Sequence, residues 1–334
     1  MPDVTMNVND MFANPREVYG AELARMGDVY DDIVVLTADV MTSNKLGEFK
    51  RAHPRRFFNV GVAEANLMGI AAGLAVDGKT PFVSTFAAFA SMRAHEQVRT
   101  DIAYPNLPVK IIATMSGLSG GIAGPTHQGM EDLGTLRMMP NMTVIAPGDP
   151  LQLKHFVRIA YALPGPVYMR LGRGNDPVIH DETLAVEVGK AITVREGDDI
   201  AIIACGTIVS EAIQAGQMLA ERGIGARVID MHTIKPLDRE TIIRAADETG
   251  VIVTAEDHSI YGGLGSSVAE VIAEHGLSCP VIRLGIPDVF GLVGQPEELF
   301  HYYGFDADGI CATAVTRLAH RARRKPVSVT RGEK

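Results

Sequence analysis

At 334 residues the chain exceeds one comfortable core, which predicts two domains, and its 46% hydrophobic and 21% charged residues describe a globular protein. A formal charge of −9 argues against general binding to nucleic acid or to an anionic membrane. The polar opening MPDVTMNVND is no secretory signal and the longest apolar run, residues 67–76, is too short to span a bilayer. Cys205, Cys279 and Cys311 fit neither a disulfide framework nor a zinc pattern, so a cytoplasmic location is expected.

Residues 1–14 read as an N-terminal arm. Helical spacing follows from Arg16 (Val18, Leu23, Met26), and a β-branched run over 33–38 ends at Asp39. A strand-like run over 57–60 turns through Gly61 and delivers Glu64 to a small-residue apolar helix, within FNVGVAEANLMGIAAG (58–73). Strands are predicted at 81–85, 109–114, 143–146 and 167–171, with helices at about 90–102, 131–138 and 151–162 between them. A glycine-rich loop covers 116–124, and 175–195 is a charged, aperiodic seam. Beyond it, strands at 200–204, 226–231, 251–255 and 280–284 alternate with helices at about 208–221, 238–246 and 264–275. Unbroken apolar strands alternating with helices predict an α/β chain of two successive doubly wound domains with mainly parallel sheets. We expect them at 15–180 and 190–320, followed by a basic, disordered tail over 321–334.

Ligands of such sheets bind at the C-terminal ends of the strands. Asp39, residues 84–86, the loop 116–127 and residues 170–173 all fall there. Glu64 is the residue that asks for a reason, because a buried carboxylate is costly without a partner. Locally, helix capping is the simpler account, since the first turn favours a carboxylate. GLSGGIAG (117–124) has neither the P-loop ending nor the dinucleotide spacing, whereas YGGLGSS (261–267) is either an anion-accepting helix start or an ordinary turn.

In order and spacing, four segments resemble the transketolase family over about residues 16–318. VGVAEANLMGIAAGLA resembles the segment of the cofactor-activating glutamate, and STFAAF (84–89) the segment of the aromatic that stacks on the cofactor. AGPTHQGMEDLGTLR (123–137) resembles the family's Gly-Pro-Thr-His-Gln loop. EGDDIAIIACGT with AEDHSIYGGLGSSVAE resembles the third domain of transketolases and deoxyxylulose-phosphate synthases. The family's complete enzymes carry another domain in front, with a Gly-Asp-Gly…Asn signature for the cofactor diphosphate and a divalent metal, and no Gly-Asp-Gly occurs in this sequence.

The resemblance therefore implies the C-terminal subunit of a split transketolase. Such a subunit passes a two-carbon ketol unit from a ketose phosphate to an aldose through a thiamine diphosphate carbanion. A partner subunit would hold the diphosphate and Mg2+ or Ca2+, a second copy would pack alongside, and the assembly would be a heterotetramer. Glu64 would activate the cofactor, Phe89 would stack on its pyrimidine with Phe86 beside it, and Asp39 and Val40 would flank the thiazolium. His127 would assist proton transfers on the substrate. Arg16, Ser43 and Arg173 would grip its anionic group, with Arg170 as an alternative ligand.

Two positions depart from the common pattern. Met115 or Ser116 stands where a phosphate-facing histidine is usual, and Ala123 where an aspartate reads the donor hydroxyls. Branched sugar phosphates and sulfo-sugars are therefore open as substrates. Three other readings remain: the β subunit of a 2-oxo-acid dehydrogenase, part of a deoxyxylulose-phosphate synthase, and a structural subunit without catalysis.

Overall fold

The computed structural model describes residues 12–181 and 183–324. A seven-stranded sheet dominates the first half. From one edge, its strands are Phe57–Asn59, Ile33–Thr37, Thr80–Phe86, Lys110–Thr114, Val167–Arg170, Thr143–Ile145 and Thr233–Lys235. The six strands drawn from the first half run parallel. Both faces are covered, which is why Ile33–Thr37 and Lys110–Thr114 are buried at every residue and read as continuous apolar runs. After Ile33–Thr37 the chain moves to one side (Phe57–Asn59) and then crosses to the other (Thr80–Phe86). That reversal opens a crevice at the C-terminal strand ends.

The helix Pro15–Val29 starts from Asn14, whose Oδ1 accepts from the Arg16 amide at 3.1 Å. Between the crevice strands lies Glu64–Val76, a helix of small residues that buries Leu67, Met68, Ala71 and Ala75. The predicted helix over 90–102 is largely wide-turned instead: π-helical segments Phe89–Arg93 and Val98–Ala103 flank the short helix His95–Gln97. Such turns concentrate at functional sites.

A second sheet of five strands orders Val281–Ile286, Ile252–Ser259, Ile200–Ala204, Ala226–Asp230 and Ile192–Arg195. Its last strand, hidden in the aperiodic seam, is antiparallel. The halves are not cleanly divided. Thr233–Lys235 comes from the second half yet completes the first sheet, antiparallel to Thr143–Ile145. One apolar cluster joins Leu67, Ile111 and Leu136 to Ile203, Ile229 and Val268.

Two expectations about the ends need correction. Phe12–Ala13, placed in the N-terminal arm, pairs with Asp176–Pro177. The basic segment is not a tail from residue 321, because the helix Ala307–Arg324 runs through it; Lys325 and the rest of the tail, like residues 1–11, lie outside the described residues. Among the described residues no helix is long and apolar enough to cross a membrane.

Candidate active site

Glu64 is the first residue of its helix, delivered there by the turn through Gly61, where φ is +75°. Its carboxylate is only 2% exposed. It makes no side-chain cap: the N-cap residue is Ala63, and Glu64 Oε2 instead accepts from Arg93 Nη1 at 3.0 Å. Capping, the simpler account on local grounds, therefore does not describe this carboxylate.

Arg93 closes the π-helical turn that begins at Phe89, and its guanidinium carbon lies 4.1 Å from the Phe89 ring centroid. Phe89 in turn meets His127 edge-on at 5.2 Å, with Phe86 5.7 Å from Phe89 and 6.1 Å from His127. Three separate places in the chain thus share one patch: Glu64, linked through Arg93, the pair Phe86 and Phe89, and His127. Thr126 Oγ1 and His127 Nδ1 are 2.9 Å apart, which fixes the ring's orientation.

Asp39 and Val40 follow the strand Ile33–Thr37 at its C-terminal end. Asp39 adopts φ +61°, a left-handed conformation that its short polar side chain tolerates. The neighbouring strand end holds it there, since the Asp39 amide donates to Asn59 Oδ1 at 2.9 Å and Asn59 Nδ2 donates to Asp39 Oδ1 at 2.9 Å. The Gly61 amide also donates to Asn59 Oδ1, at 3.1 Å. Asn59, which no motif marks, thereby ties the Asp39 turn to the turn that delivers Glu64.

The predicted anion ligands form a second group. Arg16 Nη1 donates to the Ser43 carbonyl at 3.1 Å, so Ser43 takes part through its backbone. Partial burial lowers the Arg16 pKa, and the nearby charge of Arg173 lowers it further. Asp176, also overlooked in the sequence, lies close enough to Arg16 to feel its charge. Burial pushes its carboxyl up to about 7, against the opposing pull of Arg16.

Arg173 Nη1 approaches Met115 Sδ at 3.9 Å, and Met115 holds φ +56° at the end of its strand. A side chain on Gly120 would meet both Met115 Cε (2.9 Å) and the His127 carbonyl (3.6 Å), so the loop joins the two groups. Ser116, the other departure, is buried and donates its hydroxyl to the Leu171 carbonyl at 2.9 Å.

Arg170 does not join them. It is 5% exposed, lies 3.1 Å from Asp132 Oδ2, and donates from Nη2 to the carbonyls of Asp257 (3.0 Å) and Gly129 (3.3 Å). Alternation along Val167–Arg170 turns it, like Tyr168, toward Asp132, which accepts from the Tyr168 hydroxyl at 2.7 Å. As an alternative anion ligand Arg170 is corrected to a brace between the halves.

The second half also steers the loop carrying His127. The Leu118 amide donates to Asp257 Oδ1 at 2.8 Å, the Ser259 amide to the Met130 carbonyl at 2.8 Å, and Gln128 Nε2 to the Leu292 carbonyl at 2.8 Å. The helix start within YGGLGSS, at Leu264, is already served by an anion of the chain itself. Glu256 accepts from the Leu264 and Gly265 amides at 2.7 and 2.8 Å, so the ordinary-turn reading holds there.

Comparison with known proteins places the chain in a family. Residues 13–177 match the family model described as "Transketolase, pyrimidine binding domain", and residues 189–310 that described as "Transketolase, C-terminal domain". A putative transketolase C-terminal section of Methanocaldococcus jannaschii is 45% identical over 307 residues, 91% of this chain and 96% of that protein. An apulose-4-phosphate transketolase subunit of Phocaeicola vulgatus is 43% identical over 295 residues, covering 88% and 93%. A 6-deoxy-6-sulfo-D-fructose transketolase subunit of a Clostridium species is 42% identical over 307 residues, covering 91% and 93%. Among solved structures, a split-gene transketolase in an inactive β4 tetramer superposes with a TM-score of 0.84 at 44% identity, covering 92% of this chain and 98% of that one.

Proposed function

The chain belongs to the transketolase family, and from that premise we propose that it is one subunit of a split transketolase, carrying the pyrimidine half of the active site. The observation that carries the reading is the nearly water-free Glu64 carboxylate gathered with Phe89 and His127 at the crevice between strands. These residues fit the aminopyrimidine of thiamine diphosphate: a carboxylate without a capping duty, and an aromatic face four to five ångström from its neighbours. Bound there, thiamine diphosphate would supply the carbon nucleophile that holds the two-carbon unit between donor and acceptor.

Each residue then has a task. Glu64 would hydrogen-bond the pyrimidine ring nitrogen and share its proton, and the burial of the carboxylate would strengthen that bond. Phe89, backed by Phe86, would stack on that ring, an offset stack adding about 0.5–1.5 kcal/mol beyond area burial. Asp39 and Val40 would flank the thiazolium. His127, oriented by Thr126, moves protons at the substrate oxygens. Arg16 and Arg173 draw in the substrate's tetrahedral anion, beside the Ser43 backbone.

The substrate is a sugar carrying a phosphate or a sulfonate. Relatives named for apulose-4-phosphate and for 6-deoxy-6-sulfo-D-fructose support both. Met115 and Ala123, standing where a histidine and an aspartate are usual, likewise support a donor other than the common pentose phosphates. No observation favours a 2-oxo-acid dehydrogenase β subunit.

A partner subunit would hold the diphosphate and the divalent metal. The helix Glu64–Val76 leaves Asn66, Ile70, Gly73 and Val76 exposed, a flat face suited to close approach by a second copy, within a heterotetramer of two chains of each kind. Three buried cysteines, none of them in a disulfide, fit a reducing cytoplasm. The experiment is reconstitution with thiamine diphosphate, Mg2+ and a partner chain that carries the Gly-Asp-Gly…Asn signature. Ketol transfer with an anionic sugar is expected, and its absence in a properly assembled complex would reject the proposal.

A further inference from the structure

Arg93 stands between Glu64 and Phe89, and it is 50% exposed although both its contacts lie in the site. Its Nη1 donates to Glu64 Oε2 at 3.0 Å, and its guanidinium carbon lies 4.1 Å over the Phe89 ring. A single planar, N–H-donating, cationic group therefore stacks on the aromatic and hydrogen-bonds the carboxylate at once. Those are the two contacts that a protonated aminopyrimidine would make with the same two residues, if the roles of Glu64 and Phe89 proposed above are right.

We infer that Arg93 is a stand-in for the pyrimidine of thiamine diphosphate: it partners Glu64 in the unloaded chain and must turn away for the cofactor to enter. The physical need is plain. A carboxylate 2% exposed is costly without a partner, and the guanidinium supplies one. Leaving is also feasible, because half the arginine side chain already faces water and is readily solvated. The backbone at Arg93 belongs to a π-turn, closed by the Ala94 amide on the Phe89 carbonyl at 3.1 Å, rather than to a regular helix.

Arg93 is thus a competitor for the seat and not one of the groups that hold the cofactor. Removing a competitor and removing a supporting contact shift affinity in opposite directions. Calorimetric titration of thiamine diphosphate with Mg2+ into the reconstituted two-subunit complex reads that direction without any turnover. Arg93→Ala is expected to tighten binding about tenfold, roughly 1.4 kcal/mol. The variant chain by itself should melt below the native one, because Glu64 loses its partner.

Arg93→Gln, which keeps a donor for Glu64 while losing the charge, gives a second variant with the same expected tightening should the alanine variant fail to fold. Unchanged or weaker binding in the variants, with native binding intact, overturns the role of Arg93 alone. Absence of binding by the native complex overturns the assignment of Glu64 and Phe89 together with it.

Discussion

Glu64→Gln keeps the shape of the side chain and its hydrogen-bonding reach but cannot share a proton with a ring nitrogen. In the reconstituted enzyme kcat is expected to fall by about 10²–10⁴-fold, with circular dichroism showing the fold retained. Turnover near the native rate would refute the role. Asp176 makes a second prediction at this scale. Its carboxyl titrates at about 7, so below that pH it is neutral and above it adds a negative charge beside Arg16. KM for a sulfonated sugar, whose own charge is constant over this range, should therefore rise as pH increases through about 7, and Asp176→Asn should flatten the profile. Stability carries the same sign. A folded-state pKa raised above the unfolded 3.8 gives a contribution present below the unfolded value and lost as pH rises through about 7. Above pH 7, Asp176→Asn should accordingly melt higher than the native chain.

Among the elements, the strand Val167–Arg170 shows what alternation decides. It points Tyr168 and Arg170 at Asp132, and leaves Arg173, beyond its end, beside Met115. Arg170→Met strips the fully buried Asp132 of its cation and is expected to cost about 3–5 kcal/mol in denaturant unfolding. An effect confined to KM would restore Arg170 as a substrate ligand. The buried parallel strands were legible because each is a short unbroken apolar run: Ile33–Thr37, Lys110–Thr114 and Ile200–Ala204 fall where they were expected. Thr233–Lys235 carries no such signal, since three residues gain their strand character only from the partner Thr143–Ile145. Pro296–Tyr303 was overlooked despite local signals, a capping box from Gln295 to Glu298 and Gly304 in the left-handed conformation after it. Of the candidate site, the motif residues Glu64, Phe89 and His127 could be singled out from the sequence, because motifs preserve their order. Arg93, Asn59 and Asp176 could not, because each matters through a contact between segments that spacing does not encode.

At the scale of the whole molecule, the chain purified alone with thiamine diphosphate and Mg2+ is expected to show no sustained ketol transfer, and added partner subunit should restore it. Turnover by the rigorously purified single chain would sink the split reading. The two halves themselves are bound more closely than the seam between them suggests. Its middle, residues 183–190, is free of helix or strand and exposes Thr183, Ala185, Glu187 and Lys190, features of a place where a protease cuts. Yet downstream of it lies Thr233–Lys235, embroidered into the first sheet, and the apolar cluster continues across. A chain nicked there would remain a single particle on gel filtration and separate into two fragments only in denaturant. The protein is divisible in its covalent chain but not in its shape, so neither half expressed alone inherits a finished surface: the first would expose the edge of Thr143–Ile145 as a template for aggregation.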